Sequence, residues 1–232
     1  NKKTFRSIPL SSKIRTVAEI APIIRGSLGP GWLLDFRSSP LIKNFVNGKD
    51  LERYGKAGPI TPDHVIWTKP KPLIIPVPFK NKTNFAVYVN KAVKTFEKEY
   101  LNTYIINNKR YNGEKVMRDL TPRIILVPGV GLFGVGRSLH AAAVAADIAE
   151  LSISVITKAE AIGSYYPATA AAIFDIEYWS PEVEKLNSKT VSQLEGRIVI
   201  VSGGGSGIGA EIVTAFARQG ATVVALDING KS

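Results

Sequence analysis

The chain has 232 residues, of which 45% are apolar and 21% charged, a composition typical of globular proteins that excludes global disorder. It has no cysteine, which excludes disulfide bonds, thiolate chemistry and cysteine-ligated zinc. Its two histidines are too few for a three-histidine metal site, but mixed histidine and carboxylate sites stay open. No apolar run approaches the roughly 20 residues that span a bilayer, so we expect a cytoplasmic protein without a membrane partner.

The net charge of +11 is concentrated in one half of the chain. Residues 1–120 carry 22 Lys and Arg against 9 Asp and Glu, whereas residues 121–232 carry 8 against 10. A basic half suits a phosphate-bearing partner, or it simply solvates a surface. Because the lysines form no long run and the aromatic residues have helical spacing, we expect a small-molecule partner and no nucleic acid.

The first 120 residues predict helices separated by glycine- and proline-rich segments. Apolar residues at helical spacing indicate a helix over Ser12–Ile24 and a long one over Thr83–Tyr104. Two short helices are predicted at Pro40–Asn47 and Asp50–Tyr54, and the proline-punctuated stretch Pro59–Pro78 is predicted to be extended. The aromatic stripe of the long helix indicates a core-facing side rather than a cofactor contact.

The remaining residues contain two copies of one pattern, in which a strand, a glycine loop, a helix and a strand follow each other. The first copy is predicted as a strand over Arg123–Val127, a loop over 128–136, a helix over Ser138–Leu151 and a strand over Ile153–Thr157. The segment Phe174–Glu195 resembles a domain connector. Such a pattern is typical of parallel, doubly wound α/β folds.

The second copy has the strand Arg197–Val201, a helix over Ala210–Gln219 and the strand Thr222–Leu226. Its loop contains the spacing Gly-x-x-x-Gly-x-Gly, and an acid closes the second strand. Glycines allow the backbone to approach a phosphate closely, and the following helix N-terminus presents free N–H groups. An acid at the end of the next strand can accept hydrogen bonds from the ribose hydroxyls and repels a 2′-phosphate, which favours NAD. The predicted cofactor-binding residues are Ser202, Gly203, Gly207, Ile208, Gly209 and Asp227.

The first loop matches Gly-x-Gly-x-x-Gly through Gly129, Gly131 and Gly134. Bulky residues fill this loop and no acid closes the following strand, so two interpretations remain open. It is either a helix–strand packing turn or a contact for phosphate or substrate, the latter involving Gly129 and Gly131.

The second loop, Ser202-Gly203-Gly204-Gly205-Ser206-Gly207-Ile208-Gly209, together with Leu226-Asp227-Ile228, resembles the coenzyme motif of the short-chain dehydrogenase/reductase family. Ser202 stands where that family usually has threonine. The resemblance implies an NAD-dependent oxidoreductase with a Ser/Tyr/Lys site, none of whose residues is assigned here. The string Tyr111 to Lys115 has the Tyr-x-x-x-Lys spacing but precedes the coenzyme strand, so we interpret it as coincidence.

A longer resemblance joins the two halves. The strings 21–26, 61–66, 68–70, 127–136 and 174–180 are similar to the middle of the bifunctional rhamnulose-1-phosphate aldolase/short-chain dehydrogenase family. The resemblance implies zinc-dependent cleavage of a ketose phosphate and oxidation of lactaldehyde by NAD. It also implies that the zinc ligands, a His-x-His pair, lie upstream of Asn1, since this sequence has no such pair.

We therefore predict an α/β chain that is a piece of a longer protein. It contains the C-terminal part of an aldolase-like α/β domain (1–177), a linker (178–195) and the truncated first βαβ unit of a Rossmann fold (196–232). No catalytic or metal-binding residue is assigned within it. His64 and Lys69 are candidate substrate contacts, with a loop histidine and a solvated lysine as the alternatives. The parent protein is expected to be a homo-oligomer. A non-catalytic nucleotide-binding or scaffold module with a basic docking surface is the alternative function.

Overall fold

The computed structural model describes residues 7–8, 10, 13–79, 84–179 and 192–230. Two β-sheets and the helices around them form a mixed α/β fold, as predicted. The elements of the first unit are α1 (Val17–Leu28), β1 (Leu33–Arg37), α2 (Pro40–Val46), α3 (Leu51–Gly55), a 3₁₀ turn (Pro62–His64), α4 (Val65–Thr68), β2 (Leu73–Ile74), α5 (Phe85–Asn108), a 3₁₀ turn (Lys109–Tyr111), β3 (Ile124–Val127), β4 (Gly131–Gly136), α6 (Leu139–Ile162) and α7 (Ala170–Glu177). The second unit has β5 (Ile198–Ser202), α8 (Gly207–Arg218) and β6 (Thr222–Leu226).

The first sheet has the order β1-β4-β3-β2 and lies between two layers of helices. β4 pairs antiparallel with both β1 and β3, whereas β2 pairs parallel with β3. Alternate residues of β3 point to opposite faces, so Ile125 packs with α1 and α5 while Ile124 packs with α2, α3 and α6. The two buried cores therefore share one sheet, whose edge strands are β1 and β2.

Helix α5 confirms the predicted long helix and its core-facing stripe. The stripe residues that are buried against the sheet are Phe85, Val89, Val93, Phe96 and Tyr100. The predicted first helix is wrong at its start: α1 begins at Val17, where the Thr16 N–H donates to Glu19 Oε2 over 2.7 Å, and Ile14 pairs with Phe79 in a β-bridge. Both short helices are confirmed as α2 and α3, while the segment predicted to be extended contains a 3₁₀ turn and α4.

The first predicted copy is confirmed in its first strand (β3) and in its helix (the first part of α6), but its loop and its second strand are wrong. Its glycine loop is a β-hairpin in which β4 folds back on β3, with Leu126 opposite Leu132. The predicted strand Ile153–Thr157 lies inside α6, which continues to Ile162. The pattern failed because these glycines serve packing. A Cβ atom on Gly134 would lie 2.1 Å from the Ala142 carbonyl oxygen, and one on Gly136 would lie 2.3 Å from the Ala142 nitrogen.

The interface between α6 and β4 is consequently a contact between backbones. Small residues cover the sheet-facing side of α6, namely Ala142, Ala145, Ala146 and Ala149. Among the described residues, α6 is the one helix that could cross a membrane by length and composition, contrary to the sequence-based expectation. Its packing on β4 and the ion pairs of Asp147 and Glu150 with Arg37 are those of a core helix.

The second predicted copy is confirmed as a βαβ arrangement. β5 and β6 pair in parallel, from Ile198 opposite Thr222 to Ser202 opposite Leu226, and α8 connects them. Arg25, which also donates to the Trp32 carbonyl within the first unit (2.8 Å), donates to the Gly196 carbonyl of the second unit (3.4 Å), so the two units touch there. The predicted connector is wrong in its first part, because α7 is packed and Phe174 is buried there. Residues 180–191 of the predicted linker lie outside the described residues.

Candidate functional site

The glycine turn of the second unit is built by two positive φ angles and one close backbone approach. Gly203 and Gly207 adopt φ angles of +71° and +52°, which side-chain-bearing residues rarely adopt. A Cβ atom on Gly209 would lie 1.9 Å from the Gly203 carbonyl oxygen. The turn leads from Ser202, the last residue of β5, into the first turn of α8, whose N-terminal N–H groups have no partner within the helix. Ile208 lies in this turn, and 82% of the residue is exposed.

Asp227 lies directly after β6 and closes over the same turn. Its Oδ2 accepts a hydrogen bond from the Gly205 N–H and its Oδ1 accepts one from the Asn229 N–H, both 2.9 Å long. These donors, that of Asn229 first, lower the pKa of the exposed Asp227 carboxyl, which is therefore ionised at neutral pH. The structure thus brings the predicted cofactor-binding residues together at the carboxyl ends of the two parallel strands.

The first glycine segment does not form a comparable cradle. The Gly129 N–H donates to Asn47 Oδ1 over 2.7 Å, and a Cβ atom on Gly129 would lie 2.5 Å from Ile14 Cδ1. Gly131 is buried, and a Cβ atom there would lie 2.4 Å from the Arg37 carbonyl oxygen. Both glycines therefore fit a β-hairpin. The strand-to-helix loop on which their predicted substrate contact depended is not formed.

Lys69 is not a solvated lysine, because only 1% of the residue is exposed. Its ammonium group donates to the Asp119 carbonyl oxygen and lies 3.6 Å from the centre of the Tyr100 ring. Burial lowers the pKa of Lys69 to about 7, against the opposing charge of Asp119. The Lys69 backbone has a φ of +61°, a strained conformation for a residue with a side chain.

Charged neighbours enclose this lysine. Asp119 forms an ion pair with Arg123 at 2.5 Å. Burial alone would raise the Asp119 pKa, but the hydrogen bond and charge of Arg123 outweigh it and lower the pKa to about 2. Arg118 donates to the Ile66 carbonyl over 2.7 Å. The positive charges near Lys69 are thus held by partners within the fold.

A second buried group surrounds Glu177, of which 1% is exposed. Tyr100 donates its hydroxyl hydrogen to Glu177 Oε1 over 2.7 Å, and its oxygen lies 2.9 Å from the Tyr178 hydroxyl. Arg118 Nη1 lies 3.6 Å from the same carboxylate oxygen. Burial raises the pKa of Glu177 above its usual range, although Arg118 and Lys69 oppose the shift. Burial also raises the pKa of Tyr178, to about 12. A buried acid and a buried amine with displaced pKa values are features of functional sites.

Tyr100 and Glu177 line one end of a groove of about 770 Å³ that follows the outer edge of β2. The wall on one side comes from α2 and α3, and the wall on the other side from α5. Pro70, Lys71 and the following residues to Val77 form the base of the groove. Lys69 does not line this groove; it lines a separate cavity of about 50 Å³.

His64 is the other predicted substrate contact. It ends the 3₁₀ turn Pro62–His64, and its carbonyl accepts a hydrogen bond from Thr68 Oγ1 over 2.9 Å. Its Nδ1 is buried and has no hydrogen-bond partner among the described residues. Burial lowers the pKa of His64, against the charge of Asp63. His64 does not line the groove.

Tyr111 and Lys115, which match Tyr-x-x-x-Lys, belong to the first unit. The Tyr111 hydroxyl donates to Asp175 Oδ1 over 2.7 Å, and this bond is the first cause of a raised Tyr111 pKa. The Lys115 ammonium lies 4.7 Å from the centre of the Tyr111 ring. A proton-transferring tyrosine of the dehydrogenase kind needs a lowered pKa. The raised pKa of Tyr111 therefore supports the interpretation that its Tyr-x-x-x-Lys spacing is a coincidence.

The described part of the chain contains no set of side chains that could hold a zinc ion. No group of three or more His, Asp or Glu side chains is close enough there to hold a metal ion. The two histidines, His64 and His140, lie on different elements. The described residues therefore do not fit the zinc ion that the aldolase resemblance implies, and no step through a metal is assigned to them.

Comparison with known proteins identifies the first unit. The family described as "Aldolase class II, second domain" matches residues 15–186. The chain belongs to this family. A Bacillus subtilis protein named "Uncharacterized oxidoreductase YuxG" is 27% identical over 98% of this chain, which spans about a third (33%) of that relative's length. A Caulobacter vibrioides D-xylose 1-dehydrogenase is 51% identical over 43 residues, covering 18% of this chain and 17% of the relative.

Two further similarities are more limited. A Rhizobium meliloti protein named "Probable galactose dehydrogenase GalD" is 55% identical over 47 residues, covering 20% of this chain and 18% of its own length. The crystal structure of YgbL from Escherichia coli has a TM-score of 0.45 at 15% identity, covering 68% of this chain and 64% of that one. The family match over residues 15–186 confirms the predicted aldolase-like domain.

Sequence reasoning missed Tyr100, Arg118, Asp119 and Glu177 as a connected group. Tyr100 was assigned to a core stripe, and Glu177 to a connector. The one available signal was Tyr100 within an otherwise apolar stripe, since a buried tyrosine hydroxyl usually needs a hydrogen-bond partner. Nothing in the sequence indicates which partner it has.

Proposed function

We propose that residues 192–230 bind the adenosine diphosphate part of NAD. The observation that carries this proposal is the turn between β5 and α8, where the Gly203–Gly209 approach leaves no room for a Cβ atom. Such a turn exposes backbone N–H groups at a helix N-terminus, the arrangement that binds pyrophosphate. Asp227, ionised and exposed at the end of β6, would accept the ribose hydroxyl hydrogens and repel a 2′-phosphate.

The two backbone hydrogen bonds that Asp227 accepts also support the proposal. These bonds fix the carboxylate above the turn and leave further acceptor positions on each oxygen. When bound, NAD would supply hydride-transfer chemistry, and the chain's own residues would hold and orient the nucleotide. The matches to sugar dehydrogenases support this proposal, although they cover short parts of those proteins.

A fluorescence titration of the chain with NADH and NADPH tests the proposal. We expect NADH to bind more tightly, and Asp227→Ala to weaken NADH binding and reduce the preference over NADPH. Asp63→Ala removes an exposed acid of the first unit and serves as the matched control, with unchanged binding expected. Absence of saturable NADH binding, or an unchanged preference in Asp227→Ala, would refute the proposal.

We further propose that the parent protein is a cytoplasmic, homo-oligomeric sugar-catabolic enzyme that cleaves a ketose phosphate such as rhamnulose 1-phosphate and oxidises lactaldehyde with NAD. The aldolase family assignment and the oxidoreductase name of the Bacillus relative support it. Zinc and its ligands belong to this proposal for the parent, outside these residues. A longer chain containing this sequence should reduce NAD with lactaldehyde, while the 232-residue chain should not. Turnover by the shorter chain would show the assignment of the catalytic residues to be wrong.

A further inference from the structure

Helix α5 presents a solvent-facing stripe opposite its buried one. With about 3.6 residues per turn, the side of the helix opposite Phe85, Val89 and Phe96 includes six exposed lysines and aliphatic residues. We call them the outer stripe of α5, and they are Val87, Lys91, Lys94, Lys98, Leu101 and Ile105. The two glutamates of the helix, Glu97 and Glu99, lie on either side of this stripe, so no acidic residue lies within it.

The positive charges of the outer stripe are not neutralised by the rest of the fold. Lys91, Lys94 and Lys98 form no ion pair within the described part of the chain. They lie within about 10 Å along the helix axis, and the shallow depression between their side chains has no acidic lining residue. Lys94 and Lys98 are about one helical turn apart, a like-charge spacing that destabilises a helix. Because an anionic partner would relieve this repulsion, charge complementarity favours an anion on this stripe.

The aliphatic residues of the outer stripe distinguish one kind of anion from another. Val87 precedes the lysines and is 62% exposed, while Leu101 and Ile105 follow them and are 36% and 48% exposed. The outer side of a helix packed on a sheet is a convex ridge, which contacts a flat surface over its length. A nucleic acid strand would contact the lysines but gain little from aliphatic side chains, since strand binding uses aromatic platforms. The headgroup region of a bilayer accommodates both residue types.

We propose that the outer stripe of α5 binds the surface of an anionic lipid bilayer. Lys91, Lys94 and Lys98 contact the phosphate and carboxylate groups of the headgroups, and Val87 and Ile105 insert between the headgroups. This peripheral contact departs from the sequence-based expectation of no membrane partner, which rested on the absence of a spanning segment. It leaves α5 packed on its sheet and does not depend on the nucleotide site of the second unit.

Cosedimentation of the chain with lipid vesicles tests the proposal. The probes are vesicles of phosphatidylcholine alone and of phosphatidylcholine with about 30% phosphatidylserine, whose surface charge attracts basic side chains. At low salt we expect binding to the anionic vesicles to be about 100-fold tighter, because each of the three lysines contributes a factor of about five. Raising the salt concentration from about 50 to about 200 mM should weaken this binding, since the charges are then screened over shorter distances.

A triple substitution and its matched control locate the contact. Replacing Lys91, Lys94 and Lys98 together by glutamine should reduce binding to the level measured with the neutral vesicles. The control makes the same change in net charge at three exposed lysines outside the outer stripe, and it should lose less than about threefold in binding. These control lysines are Lys43, Lys49 and Lys158.

A pair of apolar variants separates a bilayer from other anions. Ile105→Asn should weaken binding to the anionic vesicles at least about threefold, because 48% of the residue is available for burial among the lipids. Ile162→Asn changes an 84% exposed residue of α6 and should leave binding unchanged. Far-ultraviolet circular dichroism establishes that all variants are folded. Their NADH fluorescence should match that of the unchanged chain, so a failure here is distinguishable from a failure of the nucleotide proposal.

Any one of three results would overturn the proposal. The first is equal binding to the anionic and the neutral vesicles, and the second is an equal loss in the two triple variants. The third is unchanged vesicle binding in Ile105→Asn, which together with lysine-dependent binding of a single-stranded oligothymidylate would assign the outer stripe to nucleic acid instead.

Discussion

Substituting Gly134 by alanine tests the backbone contact between β4 and α6. The added methyl group would lie 2.1 Å from the Ala142 carbonyl oxygen and 2.8 Å from the Ala146 nitrogen. Both atoms belong to the backbone of α6, so rotation of a side chain cannot relieve the overlap. To reach even 3.0 Å, the helix must move away from the sheet by about 1 Å, separating Ala145, Ala146 and Ala149 from the core. Overpacking costs about 1–3 kcal/mol where side chains adjust, so we expect a loss of about 3 kcal/mol or more.

Urea unfolding followed by tryptophan fluorescence measures this loss, since Trp32 is buried in the first unit. Gly26→Ala is the matched control: no atom lies within 4 Å of its added methyl group, and Gly26 is inside α1. That control should be neutral or more stable by up to about 1 kcal/mol. If Gly134→Ala unfolds within about 0.5 kcal/mol of the unchanged chain, the hairpin packing is wrong. If it instead impairs nucleotide binding without loss of stability, the glycine-loop interpretation regains support.

Three further predictions follow from the two sites. Lys69→Met removes an amine whose pKa is lowered to about 7 in the folded chain, whereas the unfolded chain holds that proton up to about pH 10. Between pH 7.5 and 9, the unfolding free energy of the unchanged chain should therefore rise by about 2 kcal/mol relative to that of the variant, as measured by urea titrations. Parallel pH profiles of the two proteins would refute the burial of Lys69. Gly209→Ala should abolish NADH binding while leaving the unfolding of the first unit unchanged, as the methyl group would lie 1.9 Å from the Gly203 oxygen; retained binding contradicts the cradle. Tyr100→Phe removes the hydrogen-bond donor of buried Glu177 and should cost about 1–3 kcal/mol by thermal unfolding, whereas Tyr166→Phe should cost nothing measurable.

The second unit could be predicted from sequence because its signals are local. About 30 residues contain, in order, a strand, a glycine turn, a helix and a second strand followed by Asp227. Each of these elements can therefore be recognised from residues that are close to it in the sequence. The same reasoning failed at Gly129–Gly136, where an equally regular glycine pattern forms a hairpin. The two glycine segments differ in their tertiary packing. Helix α6 packs directly on Gly134 of the hairpin, whereas α8 begins at Gly207 within the glycine turn itself.

The buried polar group of the first unit could not be predicted for a different reason. Lys69, Asp119 and Glu177 are separated by 50 or more residues, and they meet because α7 packs beside α4 and α5. Lysine and glutamate are rarely buried without partners, so burial of Lys69 could be anticipated only after those partners are in place. The expected solvated lysine was therefore the reasonable sequence-based alternative, and the structure corrects it.

The contact between β4 and α6 also limits how this family can vary. At Gly129, the nearest obstacle to a methyl group is the Ile14 Cδ1 atom, so a smaller residue at position 14 would accommodate an alanine there, apart from the cost of the φ of +85°. At Gly134 and Gly136 the nearest obstacles are backbone atoms of Ala142 and its neighbours, which every amino acid possesses. No second-site substitution can remove them. A genetic suppressor screen should therefore recover compensating substitutions at position 14 for Gly129 variants, but none within α6 for Gly134 variants. Gly134 and Gly136 should persist as the family diverges.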